Sequence, residues 1–196
     1  MAYQIPEIAI LSIALMLSML TGGIDLSIVS ISNAAALVAS WVMTTKMDES
    51  ENLATSWIII ACVLGTIVGV LAGAINSILV AQLNVTPILA TLATMKGAQG
   101  LALIISDLKP ILFTTDVKGW DSIAQGNIIP NLPNAVLILL VAAIVASIIL
   151  NKTVLGRYTF AIGSNTEATK LSGVKVNRWL VAVYALCGLF VGLAAV

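Results

Sequence analysis

Six apolar runs dominate this chain, reading approximately Ile5–Leu20, Leu26–Thr45, Trp57–Ala81, Pro87–Ile105, Ala135–Leu150 and Trp179–Val196. Each approaches or exceeds the ~17–25 residues a helix needs to cross a ~30 Å hydrocarbon core. No water reaches a backbone inside lipid, so the peptide groups must bond among themselves, which leaves helices and closed barrels. The runs lack the apolar–polar alternation of a barrel strand. The expected fold is therefore all-α: a polytopic transmembrane helical bundle of about six segments, one membrane domain over residues 1–196. Charged residues make up only 9% of the chain, against roughly 25% in a soluble domain.

The charges that remain set the orientation. Asn151–Arg178 holds five of the nine Lys and Arg residues (Lys152, Arg157, Lys170, Lys175, Arg178) against the single acid Glu167. Lys46–Ser56 has one lysine against three acids, and Ser106–Asn134 two against three. Cationic loops stay in the cytoplasm, so the loop at 151–178 is cytoplasmic and the two acidic loops lie outside. The short Gln82–Thr86 turn then falls on the cytoplasmic side, as two crossings require. Trp41, Trp57 and Trp179 lie near run ends, where an amphipathic indole favours the interface. A net charge of zero averages over loops of opposite sign, and no nucleic-acid partner is expected. With no His, and with Cys62 and Cys187 both inside apolar runs, neither a metal site nor a disulfide framework is expected; the cysteines read as small packing residues. Met1 to Glu7 lacks Lys and Arg, which argues against a signal peptide.

Thr21-Gly22-Gly23-Ile24-Asp25 interrupts the first two runs. Paired glycines permit backbone angles other residues avoid, so Gly22 and Gly23 mark a helix break. Asp25 then sits near the next helix N-terminus, where a carboxylate caps free N–H groups. One reading is purely structural; the other is a discontinuous helix beside a solute path. Ser27, Ser30, Ser32 and Asn33 follow, either lining a wet path or bonding across helices. Gly65, Gly69 and Gly73 recur every fourth residue and form a packing face, echoed more weakly by Gly188 and Gly192. Lys96 lies nine residues beyond Pro87, about 14 Å along a helix and near mid-membrane. A lysine there is costly and faces protein or water, with Thr91, Thr94 and Gln99 as polar neighbours in sequence.

Within the basic loop, Ser164-Asn165-Thr166-Glu167 has the form of a capping box, with Ser164 as N-cap and Glu167 reaching back. Gly173 can end that helix in a left-handed conformation. Two turns of helix are unstable alone, so the element needs support from the protein body or a partner.

Thr21-Gly22-Gly23-Ile24-Asp25-Leu26-Ser27 resembles the TGGIDLS motif of ABC-transporter permeases for ribose, xylose and related monosaccharides. Gly156-Arg157-Tyr158-Thr159-Phe160-Ala161-Ile162-Gly163-Ser164-Asn165-Thr166-Glu167-Ala168 is similar to that family's GR-x-x-x-A-I-G-x-N-x-x-A segment, and Leu171-Ser172-Gly173-Val174 continues it. Pro87 to Leu92 resembles its P-x-x-x-TL stretch. The landmarks keep the family's order and span essentially the whole chain. Two departures stand out. Ile28-Val29-Ser30 replaces the usual V-G-S continuation, and the chain stops at Val196 inside an apolar run, where the family is normally longer. The expectation is a fragment or truncated copy, incomplete at the C-terminus.

The resemblance implies a permease subunit that works with a second permease subunit, cytoplasmic ATP-binding subunits and an extracytoplasmic sugar-binding protein. ATP would bind the partner, and this chain would hold no cofactor; it has no P-loop of the G-x-x-x-x-G-K-[ST] form. A short cytoplasmic helix at about Thr166 to Ser172 would couple the ATPase to transport, with Gly156, Arg157, Gly163, Asn165, Glu167, Ala168 and Gly173 as its motif residues. Asp25, Ser27, Ser30, Asn33, Thr91, Thr94 and Gln99 are the substrate-path candidates. The alternatives are a permease for another small polar solute, such as a nucleoside or furanosyl signal molecule, and an ion-coupled secondary transporter. Without His or a Ser/His/Asp constellation, an intramembrane enzyme is the remotest reading.

Overall fold

The computed structural model describes residues 4–47, 55–106 and 133–195. These form eight helices: α1 (Gln4–Met19), α2 (Ile28–Met47), α3 (Thr55–Ala81), α4 (Pro87–Ile105), α5 (Asn134–Lys152), α6 (Val154–Ser164), α7 (Thr166–Leu171) and α8 (Val176–Ala194). Five of them (α2, α3, α4, α5 and α8) are long and apolar enough to cross a membrane. The 16-residue α1 is shorter. The expected runs and helices agree to within a few residues, with α8 beginning at Val176 rather than Trp179. The acidic connections fall largely on 48–54 and 107–132, and the last residue of the chain is 196; all lie outside the described residues.

Lipid is as apolar as a leucine side chain, so helices in it associate by close packing rather than by hydrophobic exclusion. The most extensive pair, α3 with α8, does so through glycine. Gly65, Gly69 and Gly73 are all buried on α3. A Cβ placed on Gly69 would lie 2.7 Å from the Gly192 nitrogen, and one on Gly192 would lie 2.6 Å from the Thr66 Cα. The two backbones therefore touch. On the other side of α8, Val183, Cys187, Phe190 and Val191 pack against Ile10, Ala14 and Leu17 of α1. The Cys187 thiol donates to the Ala14 carbonyl at 3.3 Å. A smaller cluster of Ala39, Met43 and Ala61 joins α2 to α3. Ala142, Ala146 and Leu150 are buried on α5, which leans on α1.

The break expected at Gly22-Gly23 is present. Gly22 donates its N–H to the Met19 carbonyl at 2.9 Å and adopts φ 83°, a left-handed turn that costs glycine little. Gly23 is needed for a different reason, since a Cβ there would lie 2.7 Å from the Tyr184 hydroxyl and 3.2 Å from Pro87. The chain then runs without regular structure until α2.

Candidate functional site

Leaving the break, the chain enters a cluster of buried polar side chains. Asp25 is buried and its Oδ1 accepts from the Ser27 N–H at 2.9 Å and from the Ser27 hydroxyl. Asn76 of α3, fully buried, donates Nδ2 to the Ser27 hydroxyl at 2.8 Å and to Asp25 Oδ2 at 3.5 Å. Its Oδ1 in turn accepts from Thr94 of α4 at 2.7 Å. The Leu26 N–H donates to the Thr91 hydroxyl at 3.2 Å. Two helices and the break are thereby joined by hydrogen bonds that would be costly to leave unmade in an apolar interior. Asp25 caps Ser27, one residue before α2, rather than N–H groups inside the helix. The expected capping of a free N–H near the α2 N-terminus is therefore present, one residue ahead of the helix.

The remaining path candidates divide. Gln99 of α4 donates Nε2 to the Ser30 hydroxyl of α2 at 3.1 Å and accepts from the exposed Lys96 amine at 3.3 Å. Asn33 joins neither group. It lines a crevice of about 420 Å³ with Pro6, Glu7, Ser32 and Thr66, away from the break. Sequence reasoning misses Asn76 and Tyr184. Tyr184 is fully buried beside Gly23, and its hydroxyl has no partner among the described residues.

The basic loop folds into two helices, α6 and α7, where the sequence predicts only the second. Gly156 lets α5 reverse into α6, because a Cβ there would overlap the Leu150 carbonyl. Gly156, Thr159 and Ile162 form the inward stripe of α6, while Val154, Arg157 and Phe160 lie outward. Tyr158 meets Trp179 with ring centroids 4.6 Å apart, fixing α6 to the start of α8. At the far end Gly163 lies against the Leu20 carbonyl, at the very end of α1. The loop and the helix break are therefore in direct backbone contact.

The capping box is not formed as expected. Ser164 is the last residue of α6, and its hydroxyl donates back to the Phe160 and Ala161 carbonyls at 2.8 and 3.2 Å. Asn165, with φ −160° and ψ 99°, is the N-cap, and its Oδ1 accepts from the Ala168 N–H at 2.9 Å. Glu167 thus sits one position too early to reach back, and it pairs with Lys170 at 2.9 Å on the surface. Such an exposed pair contributes little. The C-terminus is as expected: Gly173 takes φ 81°, its N–H bonding Lys170 at 2.9 Å and that of Val174 bonding Thr169 at 3.4 Å, a full Schellman motif. The Thr169 hydroxyl donates to the Ala161 carbonyl at 2.9 Å, tying α7 to α6. Leu171, 89% exposed, projects from the last turn of α7. Asn165→Ala is expected to cost α7 about 1 kcal/mol. Amide exchange over 166–171 should quicken roughly fivefold on that account, whereas Ser164→Ala should leave it unchanged.

The whole chain, residues 1–196, matches the family described as branched-chain amino acid transport system / permease component. Among curated proteins it is similar to the ribose import permease protein RbsC of Escherichia coli, 31% identical over 192 residues that cover 96% of this chain and 56% of that protein. It is also similar to RbsC of Bacillus subtilis, 31% identical over 89% of this chain and 51% of that protein. The galactose/methyl galactoside import permease protein MglC of Escherichia coli is 34% identical over 87% of this chain and 53% of its own length. The chain spans about half the length of these curated relatives. No solved structure matches it significantly.

Proposed function

The chain belongs to the permease-component family of branched-chain amino acid transport systems, and from that membership we propose that it forms the membrane-spanning permease subunit of an ATP-driven (ABC) importer for a monosaccharide such as a pentose. The relatives named for ribose and for galactose import support the sugar class. The observation that carries the transport reading is the backbone contact between Gly163 of the cytoplasmic loop and Leu20 at the helix break. A docking helix that merely marked topology would need no seam with the membrane bundle. In this proposal α7, capped by Asn165 and closed by Gly173, receives the cytoplasmic ATP-binding subunit, with Arg157, Glu167, Ala168 and Leu171 offering the contact surface. ATP is hydrolysed on that partner. A second permease subunit, identical or related, completes the path, and an extracytoplasmic sugar-binding protein delivers solute to the acidic face.

The path proposed for solute runs along α2 and α4. Gln99 and Ser30 belong to its side chains, while Asp25, Ser27, Thr91, Thr94 and Asn76 are the polar scaffold that holds the break in place. The test is reconstitution of the transporter containing this chain, with its ATP-binding subunits and binding protein, in proteoliposomes. Uptake of labelled ribose or galactose should require ATP on the side of the ATP-binding subunits and the binding protein on the other. Uptake driven by a proton gradient without the ATPase would sink the reading in favour of a secondary transporter.

A further inference from the structure

Lys96 stands at the centre of α4, nine residues past Pro87 in a helix of 19. Its Cα is then about 14 Å from either end of the span. A lysine stem reaches only about 6 Å, so its amine cannot escape to an interface. The side chain is exposed. Thr91 and Thr94, which bind α4 to the break and to α3, lie on a different side of the helix, because five and two residues leave them about 140° and 160° from Lys96. Lys96 therefore points away from α3 and the break, on the side of α4 where Gln99 meets Ser30 of α2.

Its hydrogen-bond partner is neutral. The amine donates to Gln99 Oε1 at 3.3 Å, and no carboxylate among the described residues pairs with it. Among the described residues, a second copy of this chain offers no free carboxylate at mid-span either. Of the nine acids, Glu7 sits in the first turn of α1, and Asp25 is already engaged by Ser27 and Asn76. Glu167 lies on α7, paired with Lys170. Beside Lys96, one turn on, Gly100 has open space, with nothing within 4 Å of an added Cβ. Lipid cannot solvate an ammonium there; water can, with no counter-charge required.

We propose that the face of α4 carrying Lys96 and Gln99 is the wall of a water-filled solute path, and that Lys96 is its solute-contacting cation. The inference rests on the reading of the chain as a permease subunit and sharpens its solute class. An ammonium donates three hydrogen bonds and accepts none. The wall therefore suits solutes rich in hydroxyl or carboxylate oxygen, and it repels cationic ones. Gln99, fixed by Ser30, orients the amine.

The experiment uses the complete transporter carrying Cys62→Ala. Lys96→Cys is treated with a charged, membrane-impermeant methanethiosulfonate and, separately, with a lipid-soluble maleimide. The charged reagent should modify Lys96→Cys about tenfold faster, or more, than it modifies the buried Cys187, as expected for a wet position within a span. Lys96→Met should lower uptake about tenfold at equal membrane abundance, with Lys96→Arg recovering part of that loss. Reaction with the lipid-soluble reagent alone would put the face in lipid, and reaction with neither would put it against protein; each result overturns the proposal. Labelling does not depend on which solute is carried. Absence of uptake for every sugar tried, with labelling intact, would therefore count against the monosaccharide reading and not against the wet wall.

Discussion

Leucine at Gly188 is expected to lower the unfolding temperature of the detergent-solubilised protein by about 6–12 °C, from a loss of about 3 kcal/mol or more. A Cβ on Gly188 would overlap the Gly69 carbonyl and lie 3.1 Å from the Gly73 Cα. Both obstacles are backbone, so no side chain can swing aside. α3 and α8 must separate along the seam that runs from Gly73 to Gly192. Close packing along that seam is what holds the pair together where lipid supplies no hydrophobic driving force. The matched control is Gly100→Leu on α4, where an added Cβ meets nothing within 4 Å. Its unfolding temperature should stay close to that of the parent protein. Equal losses from the two substitutions would mean that leucine in a membrane helix, and not the glycine seam, sets the stability.

That seam is legible in the sequence because it obeys a local rule. Small residues four apart share a helix face, and only the partner helix has to be found. The spans are legible for a similar reason, since lipid demands apolarity from every outward position. Asn76 shows where such rules end. It is one of three polar residues in a long apolar run, with Thr66 and Ser77, and its meaning comes from Asp25 and Thr94, 51 and 18 residues away. No spacing rule connects them. Asn33 groups with Ser30 when proximity in sequence is the guide, and three residues leave them only about 60° apart around the helix; even so, Ser30 meets Gln99 of α4 while Asn33 lines a different crevice. In the loop, Ser164 and Asn165 are both good capping residues. The choice between them depends on where α6 ends, and α6 itself is hidden, because its inward stripe is Gly156, Thr159 and Ile162 rather than a row of large apolar side chains. Leu171 is one of several apolar residues in the basic loop. Its near-complete exposure is not legible there.

Valine at Gly163 is expected to separate ATP hydrolysis from transport. The substitution lies outside the spans, beside α7, and leaves the cap of Asn165 and the Schellman turn of Gly173 untouched. Its Cβ would overlap the Leu20 carbonyl and sit 3.6 Å from the Thr21 Cα, so either α6 lifts from the end of α1 or the turn through Gly22 moves. The first change cuts the connection between the α6–α7 pair and the break. The second disturbs the segment from which Asp25 and Ser27 reach Asn76. On the proposed function, uptake per ATP should fall about tenfold, equivalent to about 1.4 kcal/mol of lost coupling free energy. The partner's hydrolysis should persist, because the surface it docks on is intact. Gly173→Ala makes the useful comparison. Its φ of 81° is strained for alanine but nothing lies within 4 Å, so it costs roughly 1–2 kcal/mol at the end of α7 without wedging any neighbour apart. Hydrolysis and uptake measured together in proteoliposomes distinguish the two. Gly173→Ala should weaken docking and lower both rates in step, and Gly163→Val should lower uptake alone. If Gly163→Val instead reduces both rates equally, the junction between α6 and α1 is only structural, and coupling must pass from α7 to the membrane through α8 by way of Tyr158 and Trp179.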